Sequence, residues 1–66
     1  MNEAKTYKHS RLGKMTGRIV RDNGKFLDFV FSEEQVIGDG DGGVELVQPN
    51  EEKTLKSGSL KEVKNG

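Results

Sequence analysis

The sequence contains no cysteine and no tryptophan, and it has one proline, one tyrosine and one histidine. The absence of cysteine excludes disulfide bonds, thiolate metal ligands and thiol nucleophiles. The first fifteen residues are polar and basic and contain no long apolar stretch, so we expect neither a secretory signal nor a transmembrane segment. These absences together favour a cytoplasmic protein that does not associate with membranes.

Large apolar residues are also scarce. Leu, Ile, Val and Phe together number sixteen of 66 residues, which suffices for a folded core but only a small one. A domain of this length buries about 60% of the surface that its unfolded chain exposes. We therefore expect one domain of marginal stability, with little room for a pocket that encloses a small-molecule substrate.

Basic residues are missing from the middle of the chain. Residues 26–52 carry eight acidic side chains and no basic one, whereas residues 1–25 have a net charge of +5 and residues 53–66 a net charge of +3. One interpretation is that neighbouring strands of an antiparallel sheet pair opposite charges. The other is that the surface has two opposed patches, one of which meets a partner.

The clearest structural pattern is a β-hairpin. A strand over Lys14–Arg21 is followed by the turn residues Asp22-Asn23-Gly24 and by a second strand, Phe26–Phe31, that holds all three phenylalanines. A three-residue turn pairs charge with charge and apolar with apolar, which favours it over a two-residue turn. The predicted pairs are Arg18 opposite Asp28, Ile19 opposite Leu27, and Val20 opposite Phe26.

The second strand of this hairpin is apolar on both faces. Leu27, Phe29 and Phe31 lie on one face, while Phe26 and Val30 lie on the other. Such a strand is typical of a sheet centre or a barrel. We therefore predict a mostly β fold, a single small antiparallel β-barrel or strongly bent sheet, SH3-like or OB-like, with four to five short strands and at most one helical turn.

The rest of the chain gives weaker patterns. We interpret residues 1–13, which lack periodicity, as a flexible basic arm, and residues 14–66 as the β domain. Ser32–Gln35 resembles a capping box and predicts one helical turn, with a short edge strand over Glu34–Ile37 as the alternative. Val44–Gln48 is a third strand, and Lys53–Lys64 forms a closing hairpin that sets Leu55 opposite Leu60 and Lys53 opposite Glu62.

No group of residues indicates catalysis or a cofactor. Asp39 and Asp41, in the glycine-rich loop of residues 38–43, could share a calcium ion, but an EF-hand starting at Asp39 requires a glutamate where Asn50 stands. A plain mobile hairpin loop is favoured. His9 is a lone histidine in the predicted arm, which favours an exposed imidazole without a function. We predict a protein that is not an enzyme, with no catalytic residue, no cofactor and no metal.

The favoured function is therefore a binding module: a protein-interaction or regulatory accessory protein, for example of a phage or plasmid type. Its partner would be another protein or a second copy of the chain. The alternative is single-stranded nucleic-acid binding through basic and aromatic side chains on one strand face. In either case the residues predicted to contact the partner are Lys14, Arg18, Arg21, Lys25 and Phe26.

Overall fold

The computed structural model describes residues 3–64, in which seven β-strands and no helix are found. In chain order the strands are β1 (Lys5–His9), β2 (Gly13–Asp22), β3 (Phe26–Phe31), β4 (Gln35–Gly38), β5 (Val44–Val47), β6 (Glu52–Lys56) and β7 (Leu60–Glu62). Five strands form one sheet in the order β6-β3-β2-β1-β7, and β4 pairs with β5 in a second sheet. The prediction of a mostly β protein is confirmed, with more strands than expected.

β2 is the longest strand, and it pairs with a different partner in each half. Its first half pairs with β1, where His9 lies opposite Gly13, and its second half pairs with β3, where Asp22 lies opposite Leu27. Residues 5–9 are therefore a strand inside the sheet rather than part of a flexible arm. Backbone hydrogen bonds to β2 and β7 hold this strand. Tyr7 is its one large side chain packed against the core, and a single such residue leaves no apolar periodicity in the sequence. Residues 1 and 2 of the predicted arm, and 65 and 66 of the predicted domain, lie outside the described residues.

The five-stranded sheet is bent, as the connection between β6 and β7 shows. These strands form opposite edges of the sheet, yet only residues 57–59 separate them. The chain from Lys56 to Leu60 spans at most roughly 14 Å, whereas the edges of a flat five-stranded sheet are roughly 19 Å apart. The sheet must curve to bring its edges together. Within residues 3–64, no ladder between β6 and β7 closes it into a barrel.

The predicted closing hairpin is consequently wrong. Leu55 pairs with Leu27 of β3 instead of Leu60, and Leu60 pairs with His9 of β1. The predicted pairing of Lys53 with Glu62 is absent for the same reason. The chain does turn at residues 57–59, but this turn connects two edges of a curved sheet and not two neighbouring strands.

The core lies on one face of the five-stranded sheet, which we call the inner face; the opposite face is the outer face. The buried apolar residues are Leu12, Met15, Leu27, Phe29, Phe31, Ile37, Val47 and Leu55. Phe29 and Phe31 are fully buried, with ring centroids 5.1 Å apart in an edge-to-face arrangement, and Tyr7 packs edge-on against Phe29 at 5.6 Å. Of the two faces of β3 that we predicted to be apolar, the one with Leu27, Phe29 and Phe31 is the core side, whereas Phe26 on the other is exposed.

The register between β2 and β3 differs from both predicted registers. A β-bulge between Ile19 and Arg21 adds one residue to β2. The observed pairs are Arg18 with Val30, Ile19 with Phe29, and Arg21 with Asp28. The predicted pairing of Arg18 with Asp28 is wrong, because the ladder ends with Asp22 opposite Leu27. The connection therefore has four residues, 23–26, instead of the predicted three, and this places Arg21 opposite Asp28. Ile19 still lies opposite an apolar residue, but that residue is Phe29 and not the predicted Leu27.

The segment predicted as a helical turn or a short edge strand is strand β4. The β4–β5 hairpin is attached to β2 by the Gln35 side chain, whose Oε1 accepts a hydrogen bond from the Thr16 N–H at 2.7 Å and whose Nε2 donates to the Thr16 carbonyl at 3.0 Å. At the other end of β4, the Gly38 N–H donates to the Leu12 carbonyl at 2.8 Å. The Gln35 amide thus pairs with a strand backbone as another peptide group would.

Candidate binding surfaces

Four of the five residues predicted to contact a partner lie on the outer face. Lys14 adjoins the buried Met15 in β2 and so has the opposite orientation. Arg18 and Arg21 lie opposite residues of β3 that also point outward. Phe26 lies on the same side of β3 and is 53% exposed. Lys25, also exposed, is in the turn before β3. The structure therefore places these residues together, and their role in binding stays a prediction.

The outer face also carries carboxylates, of which Asp28 is the most central. Its Oδ2 is 4.0 Å from the Arg21 Nε, and its Oδ1 accepts a hydrogen bond from the Thr54 hydroxyl at 2.8 Å. Both contacts reduce the negative potential that Asp28 presents to a ligand. Arg18 lies opposite Val30, and the exposed Glu52 lies opposite Val30 on its other side.

The turn between β2 and β3 holds Phe26 in place through two side-chain acceptors. The Asn23 Oδ1 accepts from the backbone N–H of Phe26 at 2.9 Å. The Asp22 Oδ1 accepts from the Gly24 N–H at 2.9 Å and from the Ser57 hydroxyl at 2.8 Å. These hydrogen bonds lower the pKa of Asp22 below its ordinary value. The larger effect comes from the Gly24 N–H and the smaller one from the Ser57 hydroxyl. The exposed phenylalanine is thus mounted on a hydrogen-bonded turn.

Three lysines form a row across the outer face, which we call the lysine row: Lys61, Lys8 and Lys14. Lys8 lies directly opposite Lys61 of β7 on one side and Lys14 of β2 on the other. All three are exposed. Sequence reasoning found Lys14 alone, because the pairing of β7 with β1 joins residues more than fifty positions apart and leaves no local pattern.

The β4–β5 hairpin exposes three apolar side chains on one side, which we call the apolar hairpin face. Val36 lies opposite Leu46, and Val44 is two residues before Leu46 in the same strand. Val36 is 60% exposed, Val44 72% and Leu46 57%. The sequence pattern placed Val44 and Leu46 on one face of a strand, but it did not show that this face is open to solvent.

The loop between β4 and β5 is organised by the Asp39 side chain. Its Oδ1 accepts from the Asp41 N–H at 2.8 Å and from the Gly43 N–H at 3.0 Å. Both hydrogen bonds lower the pKa of Asp39 below its ordinary value, and the one from the Asp41 N–H has the larger effect. The Asp39 carboxylate thus forms hydrogen bonds with the backbone of its own loop. Among residues 3–64, no group of three or more His, Cys, Asp or Glu side chains is placed to hold a metal ion.

His9 has a structural contact that its sequence context does not indicate. Its Nδ1 accepts hydrogen bonds from the Arg11 N–H at 3.0 Å and the Leu12 N–H at 3.2 Å. The imidazole therefore closes the turn between β1 and β2, and Leu12 follows directly into the core.

The fold and these surfaces define a class of small, two-sheet β domain with an open basic face and an open apolar hairpin. No protein-family model matches the chain, and no curated protein or solved structure has significant similarity to it. Across residues 3–64, no helix combines the length and apolar character of a membrane-spanning segment.

Proposed function

We propose that this chain is a non-enzymatic binding module that recognises another protein through the apolar hairpin face. The observation that carries the proposal is the exposure of Val36, Val44 and Leu46 side by side. Single exposed apolar residues are ordinary, whereas contiguous ones typically mark interaction surfaces. In a chain with so few large apolar residues, leaving three together in water forgoes burial that would stabilise the fold.

The charges around the apolar hairpin face define the chemistry of the partner. Residues 33–47 contain five acidic and no basic side chains. Glu34 lies at one end of the face, where its Oε2 accepts from the Gln48 Nε2 at 3.1 Å, and Asp39 and Asp41 lie in the loop at the other end. The complementary surface has an apolar centre and a basic rim.

This charge distribution favours a different protein over a second copy. A symmetric dimer through this face would place the same patch on both subunits, and the acidic ends of the two hairpins would then repel each other. The full chain should accordingly be monomeric in light scattering at low salt.

The finer architecture we propose is an SH3-like or OB-like barrel, supported by the three-residue connection between the edge strands and by the two partners of β2. Small size, the absence of cysteine and a high charge content support a cytoplasmic accessory or regulatory role, of the kind found in phages and plasmids.

Peptide display tests the protein-binding proposal. The immobilised full chain is used to select from a random peptide library, and the selected peptides are measured for binding by titration. We expect a consensus of apolar residues flanked by Lys or Arg. The double variant Val36→Ser/Leu46→Ser should lose this binding, because it removes the apolar centre without changing charge.

The matched control is Val20→Ser, which replaces an apolar side chain of the β2–β3 sheet that is 51% exposed. It should bind the selected peptides as the wild type does. Failure to enrich any consensus, or equal binding by the double variant, contradicts the proposal. A concentration-dependent dimer that Leu46→Ser dissociates would instead assign the face to self-association.

A further inference from the structure

The lysine row places like charges opposite one another on three adjacent strands. Residues directly opposite in an antiparallel pair have Cα atoms about 5 Å apart, so the row from Lys61 through Lys8 to Lys14 spans roughly 10 Å. Like charges in such positions destabilise a sheet. Within residues 3–64, none of these three ammonium groups lies within 4.0 Å of a carboxylate. The fold thus keeps an electrostatic cost that an anionic ligand would remove.

A cleft opens beside the lysine row. It has a volume of about 500 Å³, and it is lined by Lys8, Ser10, Ser59, Lys61, Glu62 and Val63. The carboxylate among these residues, that of Glu62, is 3.5 Å from the Lys5 Nζ and therefore already has a cationic neighbour. The two lysines and the Ser10 hydroxyl offer hydrogen-bond donors to an anion in this cleft.

The positive charge continues from the lysine row along β2. Arg18 and Arg21 follow Lys14 on the outer face over roughly 20 Å of strand. Beside the end of this track lies Phe26, held by the Asn23 turn with its ring exposed. The outer face therefore combines a line of cationic side chains with one accessible aromatic surface.

From this arrangement we infer that the lysine row and its cleft form part of a binding site for single-stranded nucleic acid. The lysines contact consecutive phosphates, and an unpaired base stacks on Phe26. Protein interfaces are depleted of lysine at their centres, whereas nucleic-acid interfaces are rich in positive charge. The exposed ring favours an unpaired strand over a duplex, whose bases already stack on each other. This site uses residues other than those of the apolar hairpin face.

Fluorescence anisotropy of the full chain with a labelled single strand of about 15 nucleotides tests this site, at several salt concentrations between about 20 and 200 mM. If three phosphates are contacted, the logarithm of the association constant should fall against the logarithm of salt with a slope near −2, since each contact contributes about 0.7. The variant Lys8→Gln/Lys14→Gln should make that slope shallower by about 1.4. Phe26→Ser should weaken binding by at least about fivefold.

The control is Lys53→Gln, which removes a positive charge from the inner-face side of the sheet and leaves the cleft unchanged. It should retain the wild-type slope, and so should Val36→Ser/Leu46→Ser, so that failure here is separable from failure of the protein-binding proposal. Circular dichroism verifies that each variant is folded. The inference is overturned by a lack of binding at the lowest salt, or by a slope in Lys53→Gln that is as much shallower, per charge removed, as the slope in Lys8→Gln/Lys14→Gln. Tighter binding of the matching duplex, or competition from polyglutamate as effective as that from unlabelled strand, also overturns it.

Discussion

At Gly17 the fold needs the space that a missing side chain leaves. A Cβ at this position would overlap the Val30 carbonyl oxygen and lie 2.9 Å from two carbons of the Phe29 ring. Gly17 is also the point at which β2 changes partner from β1 to β3. Since the Val30 oxygen is backbone, the clash cannot be relieved by rotating a side chain. The close approach of β2 to β3 thus requires a glycine at position 17.

We predict that Gly17→Ala lowers the free energy of unfolding by about 3 kcal/mol or more, from overpacking against backbone and a buried ring. The matched control is Gly13→Ala. Gly13 has a φ of +80°, and no atom lies within 4 Å of the place that an added methyl group would take. Gly13→Ala should therefore lower the free energy of unfolding only by the cost of placing an alanine in the left-handed backbone region, about 1–2 kcal/mol. Urea denaturation followed by circular dichroism compares the two. Equal costs would show that β2 can move away from β3.

At the scale of elements, the two sheets are joined by few contacts. An isolated two-stranded hairpin is marginal in water, so β4 and β5 depend on their attachment to the larger sheet. Gln35 supplies two hydrogen bonds to Thr16, and Ile37 and Val47 contribute to the core. The position of the apolar hairpin face therefore depends on an amide side chain as well as on apolar packing.

We predict that Gln35→Ala lowers the free energy of unfolding by about 2 kcal/mol, because the half-buried Thr16 N–H loses its partner. The Thr16 carbonyl also loses the Gln35 donor but keeps a hydrogen bond from the Ser32 N–H at 3.1 Å. Gln35→Glu retains an acceptor for the Thr16 N–H and should cost less. Gln48→Ala is the control: this exposed glutamine makes a single hydrogen bond to Glu34, and its loss should change stability by under about 0.5 kcal/mol. Thermal and urea unfolding measure all three. A Gln35→Ala protein as stable as Gln48→Ala would mean that the amide does not anchor the hairpin.

The lysine row makes a separate prediction about the pairing of β1 with its neighbours. Replacing Lys8 by Gln should raise the free energy of unfolding by a few tenths to about 1 kcal/mol at low salt, since Lys8 faces a lysine on both sides. High salt should abolish the gain by screening. Lys5→Gln should have the opposite sign or no effect, because Lys5 is 3.5 Å from Glu62. Urea denaturation at both salt concentrations provides the test; a destabilised Lys8→Gln at low salt would contradict it.

At the scale of the whole molecule, side-chain hydrogen bonds at the turns add to the stability that the core provides. The core contains eight buried apolar side chains, and the fold adds side-chain acceptors at three connections: His9 between β1 and β2, Asp22 before β3, and Asp39 between β4 and β5. Two of these acceptors are carboxylates. Acid should therefore loosen connections that lie at different places in the molecule.

We predict that the free energy of unfolding falls as the pH is lowered from about 5 towards 3. Hydrogen bonds lower the pKa of Asp22 and of Asp39 in the folded state, so their contribution is complete above the unfolded value of about 3.9 and is lost as pH falls through the lower folded values. The double variant Asp22→Asn/Asp39→Asn should show a shallower fall. Urea denaturation across this pH range measures both slopes, and identical slopes would rule out these two groups as the source.

Much of the fold follows from local patterns. The limits of β3 and its buried face agree with the structure, as do most of β2 and the position of β5, because alternation and turn residues act over a few positions. The candidate site follows less completely. Lys14 and Arg18 share a face by alternation along β2. Arg21 joins them because of the bulge after Ile19, and Phe26 because of the pairing of β2 with β3, whereas Lys8 and Lys61 required knowledge of which strands are neighbours.

The sequence by itself determined the β class, the core side of β3 and the segregation of charge. The tertiary structure alone decided the bulge after Ile19, the placement of β6 and β7 at opposite edges, the lysine row and the exposure of the apolar hairpin face. The physical reason is that these features depend on pairing between residues far apart in the chain. Such pairing is selected by the packing and hydrogen bonding of the whole sheet. The short-range periodicity of the sequence does not indicate which distant residues will pair.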